Sequence, residues 1–198
     1  MSSDADTLML LERALEQTER LIAAVDPGQA GLPTPCTDWD VQALVRHLAG
    51  QDLRNFLIAL QGETADWQAP AEELGDDWAA TFRDRAAPLR ALWRSANLDV
   101  EFGMSGGGQA PLRARADQQI AELSVHDWDL AIATGRLAGL DPELAEHSLN
   151  WSRGLLRPEH RGPDRAFAHE VPVAPDAPIY QQLAGWFGRD PGWAPPAQ

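Results

Sequence analysis

The chain has 198 residues, 16 basic and 30 acidic, and a formal net charge of −14; at 21.6 kDa it has the size of one domain with room for a small appendix. Such acidity argues against nucleic acid and against an anionic membrane surface as partners. Every basic residue is Arg, which excludes Lys Schiff-base chemistry, and the single Cys36 excludes an internal disulfide and a Cys-rich zinc module.

No stretch has the roughly 18 apolar residues of a membrane span. The opening MSSDADTLML is polar and acidic, unlike a signal peptide, so a cytoplasmic protein is expected. A first helix is predicted over Thr7–Val25, where Leu8, Leu11, Leu15, Leu21 and Ile22 recur near the helical period and Asp26-Pro27-Gly28 stops the run. After a Pro-punctuated loop, Thr37 is read as the cap of a second helix, with Asp40 three positions on. Its apolar stripe runs from Val41 to Leu60, and Gly62 ends it. Residues 63–76 are acidic and loose. A third helix spans Asp76–Ser95 with Pro88 as a kink point. Val100, Phe102 and Leu112 around a Gly-rich centre predict a short hairpin or ordered loop. A fourth helix covers Arg113–Thr134 and ends at Gly135. Asp141-Pro142 opens a fifth that reaches Leu156. Residues 157–178 are irregular, and a short last helix runs from Ile179 to Phe187. There is no internal repeat.

Four long helices with apolar stripes predict an all-α four-helix bundle, the hairpin lying between helices 3 and 4. The expected division is a helical bundle over residues 1–156 and a Pro-rich extension over 157–198 that packs on it.

Bundles place functional groups on facing helices. Glu122 and His126 are four apart, so they share a helix face about 6 Å apart along the axis. His47 lies among apolar neighbours on helix 2. Together these three make two imidazoles and one carboxylate, a set that suits Zn²⁺ with open positions and equally Fe²⁺, Ni²⁺ or Mn²⁺. Spacing alone also fits a solvated Glu–His pair and a boundary histidine. Asp129 is a candidate for orienting a ligand histidine from behind, whereas Asp127 is expected to point outward. Arg46 and Arg54 are candidates for offsetting an anionic substrate. His147, His160 and His169 are rival ligands, expected at the surface. Cys36 is expected to be a half-buried turn residue. The Gly103–Gly108 run lacks a phosphate-loop pattern and reads as a turn. Trp39, Trp128 and Trp193 read as packing anchors.

The segment Pro33-Thr-Pro-Cys-Thr-Asp-Trp-Asp-Val-Gln-Ala-Leu-Val-Arg-His47-Leu-Ala-Gly resembles the helix-2 signature of the mycothiol-dependent maleylpyruvate isomerase-like proteins, in the DinB superfamily of metal-binding four-helix bundles. Glu122-Leu-Ser-Val-His126-Asp-Trp-Asp-Leu-Ala-Ile-Ala-Thr-Gly135 resembles their second metal-binding signature. The tail Leu183-Ala-Gly-Trp-Phe-Gly-Arg-Asp-Pro-Gly-Trp193 is similar to one actinobacterial branch. The resemblance implies a DinB-like bundle with His47, Glu122 and His126 as metal ligands, zinc as the usual ion (nickel and iron occurring elsewhere), and mycothiol as cosubstrate. It also implies a thiol transferase or isomerase acting on a small electrophile. The founding isomerase is expected to carry a more substantial C-terminal domain than residues 157–198 provide, so the resemblance does not carry maleylpyruvate over as substrate. The other readings are a thiol-independent metal hydrolase or lyase on the same bundle and a non-catalytic small-molecule binding protein. Either way the expected partner is a small molecule, and the expected state a monomer or homodimer.

Overall fold

The computed structural model describes residues 4–37, 39–103, 108–162 and 167–195. Seven α-helices follow in order among them: α1 (Asp4–Ala23), α2 (Val41–His47), α3 (Leu53–Leu60), α4 (Trp78–Arg94), α5 (Leu112–Thr134), α6 (Pro142–Arg153) and α7 (Ile179–Trp186). The strands β1 (Glu101–Gly103) and β2 (Gln109–Pro111) pair antiparallel ahead of α5. Of the Gly-rich run, Met104 to Gly107 lie outside the described residues.

The second helix begins later than the capping reading placed it. Asp40, not Thr37, is the cap, and its side chain accepts from the Ala43 N–H at 2.8 Å. A carboxylate is the better acceptor for the free N–H groups of a first turn. The run to Leu60 is also not one regular helix. A π turn over Leu48–Asp52 joins α2 to α3, with the Leu53 N–H reaching back to the Leu48 carbonyl. Such a turn loosens carbonyls from their usual partners. Here Ala49 O accepts from Arg85 at 3.2 Å and Gly50 O accepts from the Glu72 N–H at 3.2 Å. Residues 63–76 therefore run as a strap across the π turn. A side chain at Gly50 would sit 2.5 Å from the Glu72 carbonyl, so only glycine lets the strap approach this closely.

Leu11, Leu15, Ile22, Leu44, Leu48, Phe56, Phe82, Leu89, Ile120 and Leu123 join α1 through α5 in one apolar core. A second core packs Ala121, Val125 and Trp128 of α5 against Leu149 of α6 and Tyr180 and Leu183 of α7. Helix α5 thus has core on two sides. That is why polar residues with no solvated face to occupy, among them Gln119, Ser124, His126, Asp127 and Asp129, are buried along it. Gly135 ends α5 in the left-handed conformation, φ +74°. No described helix is long and apolar enough to cross a membrane.

Candidate metal centre

Helix α2 carries His47 at its last turn, facing the middle of α5, where Glu122 and His126 lie one turn apart. One ligand atom from each of the three lies within 4.8 Å of the others. The two imidazole centroids are 5.0 Å apart, and the Trp39 ring covers both, 4.4 Å from His47 and 5.6 Å from His126. Trp39 is thus a wall of the centre as well as a packing anchor.

The proton positions follow from the outer partners. Gln51 donates its amide N–H groups to the strap carbonyls of Trp67 (2.9 Å) and Ala69 (3.0 Å). Its Oε1 is left to accept from His47 Nδ1 at 2.9 Å. On α5, Asp129 Oδ2 accepts from His126 Nδ1 at 3.0 Å. Both rings therefore carry a proton on Nδ1 and turn Nε2 inward, the arrangement that orients metal-ligating histidines. His47 Nε2 is buried and makes no aligned hydrogen bond. A buried ring nitrogen left in this state, beside a second Nε2 and a carboxylate, fits a divalent cation of the zinc, iron or nickel kind.

The π turn adds a fourth acid. Residues five apart share a face in such a turn, so Asp52 returns beneath His47 with Oδ2 3.1 Å from Nε2, again without an aligned hydrogen bond. Asp52 is 2% exposed. Burial works to lower the His47 pKa, but the Asp52 carboxylate and then Glu122 outweigh it, and the value is pushed up to about 9. Burial and the Asp52 charge raise the pKa of Glu122. Burial lowers that of His126 despite Asp129. Burial would raise the pKa of Asp129, yet Arg189 and His126 hold it below the ordinary carboxylate value.

Arg189 completes this chain. Its guanidinium donates to Asp129 at 3.0 and 3.4 Å. It arrives from beyond α7 because Gly188 turns the chain with φ +81°, where a side chain would sit 2.6 Å from Ala168.

Arg46 ion-pairs with Glu73 of the strap and lines a cavity of about 210 Å³ with Trp39, Ala43, His47, Gln51 and Ala71. Arg54 donates to the Pro70 carbonyl at 3.2 Å, so it ties down the strap. Asp127 does not point outward as expected: it is fully buried on the far side of α5, where Gln17 donates to it at 2.9 Å. A step of one residue turns a helix by about 100°, and the second core covers that side. His147 is paired with Asp117 at 2.8 Å, away from the centre. His160 accepts from the Arg157 N–H at 3.4 Å, and His169 is exposed. Cys36 is half-buried, as expected. Gln51, Asp52 and Arg189 escaped the sequence reading. Gln51, four after His47, carried the signal for a helical partner; the other two depend on the π turn and on a contact sixty residues away.

The family model described as the mycothiol maleylpyruvate isomerase N-terminal domain matches residues 11–131. The chain is 33% identical over 188 residues to the uncharacterized protein Rv0738 of Mycobacterium tuberculosis, covering 93% of this chain and 98% of the relative. The uncharacterized protein MT0763, from a second strain, matches equally. Among solved structures, that of a histidine-to-alanine mutant of the mycothiol-dependent maleylpyruvate isomerase superposes with a TM-score of 0.56 at 20% identity, covering 75% of this chain and 68% of that one. A second structure of that isomerase gives 0.53 at 18% with the same coverage. At those identities the likeness is one of fold, a DinB-like helical bundle. With more than half of its length matched by the family model, the chain belongs to the mycothiol maleylpyruvate isomerase N-terminal domain family.

Proposed function

We propose that this protein is a metal-dependent enzyme that uses a low-molecular-weight thiol of the mycothiol kind to transfer to, or isomerise, a small electrophile. The observation that carries this reading is the pair of histidine Nε2 atoms turned toward Glu122, each fixed from behind by an acceptor on its Nδ1. His47, Glu122 and His126 would hold the ion, and residues 157–198 would serve the bundle by delivering Arg189. Two neutral imidazoles and one carboxylate leave a divalent ion a net charge of about +1, which favours the thiolate over the thiol at neutral pH.

The chain's own residues do the rest. Gln51 and Asp129 keep both imidazoles in the tautomer that presents Nε2. Arg189 keeps Asp129 ionised, so the His126 N–H has a charged acceptor. The Trp39 ring shields the two imidazoles, which strengthens electrostatics there. The cavity beside His47, with Arg46 on its wall, gives a second substrate its way in.

Metal content decides the matter. Protein purified without chelator is expected to hold about one equivalent of zinc, nickel or iron by elemental mass spectrometry. His126→Ala and Glu122→Gln are expected to lose it while circular dichroism shows the bundle intact. Stoichiometric metal retained in both variants overturns the ligand assignment. Mycothiol is expected to raise the melting temperature of the metal-loaded protein; no shift at saturating thiol favours a hydrolase or lyase reading instead.

A further inference from the structure

Ten arginines make a described ion pair with an acidic side chain, Arg46, Arg54, Arg85, Arg113 and Arg189 among them. Arg115 does not, among the described residues. It is half-buried on α5, and its only described hydrogen bond is to the neutral amide of Gln118, at 2.5 Å. Two aromatic faces hold the guanidinium: Phe102 of the hairpin at 4.6 Å and Trp67 of the strap at 5.6 Å. Burial lowers its pKa, and no carboxylate among the described residues opposes this. A cation taken partly out of water with no counter-charge is disfavoured, unless an anion arrives.

Its position says where that anion belongs. Arg115, Glu122 and His126 fall on one face of α5, with Arg115 two turns, about 10 Å, before Glu122. The same Trp67 that stacks on Arg115 offers its carbonyl to Gln51, which holds His47. The cation and the metal centre thus share one wall.

We infer that Arg115 is a carboxylate subsite, and that the small electrophile handled at the metal centre carries a carboxylate which pairs with its guanidinium. A planar fork held against two rings is pre-organised for bidentate pairing with such a group. The inference deepens the proposed function and rests on it for the identity of the ligand as substrate; the anion site itself is read without metal.

The test is calorimetric titration of glutarate, and of its neutral diamide, onto metal-loaded and metal-stripped protein. Wild-type protein is expected to bind glutarate and not the diamide. Arg115→Met keeps an apolar stem against the rings and is expected to weaken glutarate binding by about ten- to a hundredfold, with metal content unchanged. Arg115→Lys is expected to restore part of it. Glutarate binding that is the same in wild type and Arg115→Met overturns the subsite, as does equal binding of the diamide by wild type, a comparison that stands even if Arg115→Met does not fold. If wild-type protein holds no metal but still binds glutarate through Arg115, the proposed function fails and the subsite stands. If metal binds normally and glutarate ignores Arg115, the reverse holds.

Discussion

Two buried polar clusters sit back to back on α5, and neighbouring residues belong to each. His126 faces α2, with Asp129 and Arg189 behind it. Asp127 faces α1 and α7, where the Gln17 amide donates to Asp127 at 2.9 Å and to the Tyr180 hydroxyl at 3.1 Å, while its carbonyl accepts from the Asp141 N–H at 2.6 Å. The second cluster ties α1, α5, α7 and the start of α6 together with one side chain. The first leaves two imidazole nitrogens and a carboxylate converging within 4.8 Å. Both are polar and largely buried. The second spends most of its hydrogen-bonding capacity in holding helices together and leaves Asp127 Oδ1 without a partner, whereas the first brings three ligand atoms to one point. Burial of polar groups, or one orphaned atom among them, therefore does not mark a candidate site; convergence of ligand atoms with their outer partners in place does.

The contrast can be broken. Arg189→Met leaves the Asp129 carboxylate buried beside His126 with no cation, which is expected to cost about 3–5 kcal/mol in denaturant melts and to weaken metal binding as well. An unchanged metal affinity would separate Arg189 from the centre. The next effect is one of pH, in metal-stripped protein. The His47 pKa stands at about 9 in the folded chain against an ordinary value near 6.5, so its ion pair with Asp52 stabilises the fold fully below pH 6.5. That contribution, at most about 3 kcal/mol, is lost as pH rises from 6.5 through 9. Asp52→Asn is expected to flatten this part of the stability–pH curve; an unaltered slope would refute the pairing. Gln17→Leu is expected to destabilise by roughly 1–3 kcal/mol, because buried Asp127 loses the Gln17 amide as a donor, yet to leave metal content at the wild-type level. A fall in metal content would show that the two clusters are coupled through α5. The smallest effect is Gln51→Leu, expected to lower metal affinity about tenfold with little change in stability, read by competition with a chromophoric chelator.

Part of this was legible in the residues themselves. The periodicity of Leu8 to Ile22, the Asp141-Pro142 start of α6 and Gly135 at the end of α5 are local, so the elements they define can be read without the fold. The segments around His47 and around Glu122 and His126 resemble the family that the comparisons then show. Three local readings went astray for a physical reason each. Thr37 and Asp40 can both cap a helix, and only the backbone decides which does. The run Val41–Leu60 keeps a helical stripe across a π turn, since one extra residue shifts the stripe without erasing it. Asp127 follows a histidine in a pattern that gives it a solvent face only if α5 has one, and the second core removes it.

The sequence by itself determined the class of fold, the order of the helices and the residue types able to ligate, because those follow from spacing along the chain. Only the tertiary structure decided the convergence. His47 meets α5 across some seventy-five residues, Asp52 turns beneath it through the π turn that the strap supports, and Arg189 reaches Asp129 from beyond α7. These are contacts between segments that no local pattern couples. They form because α5 is packed from both sides, and buried polar groups along it, Gln119, Asp127 and Asp129 among them, meet partners on the segments that lie against it.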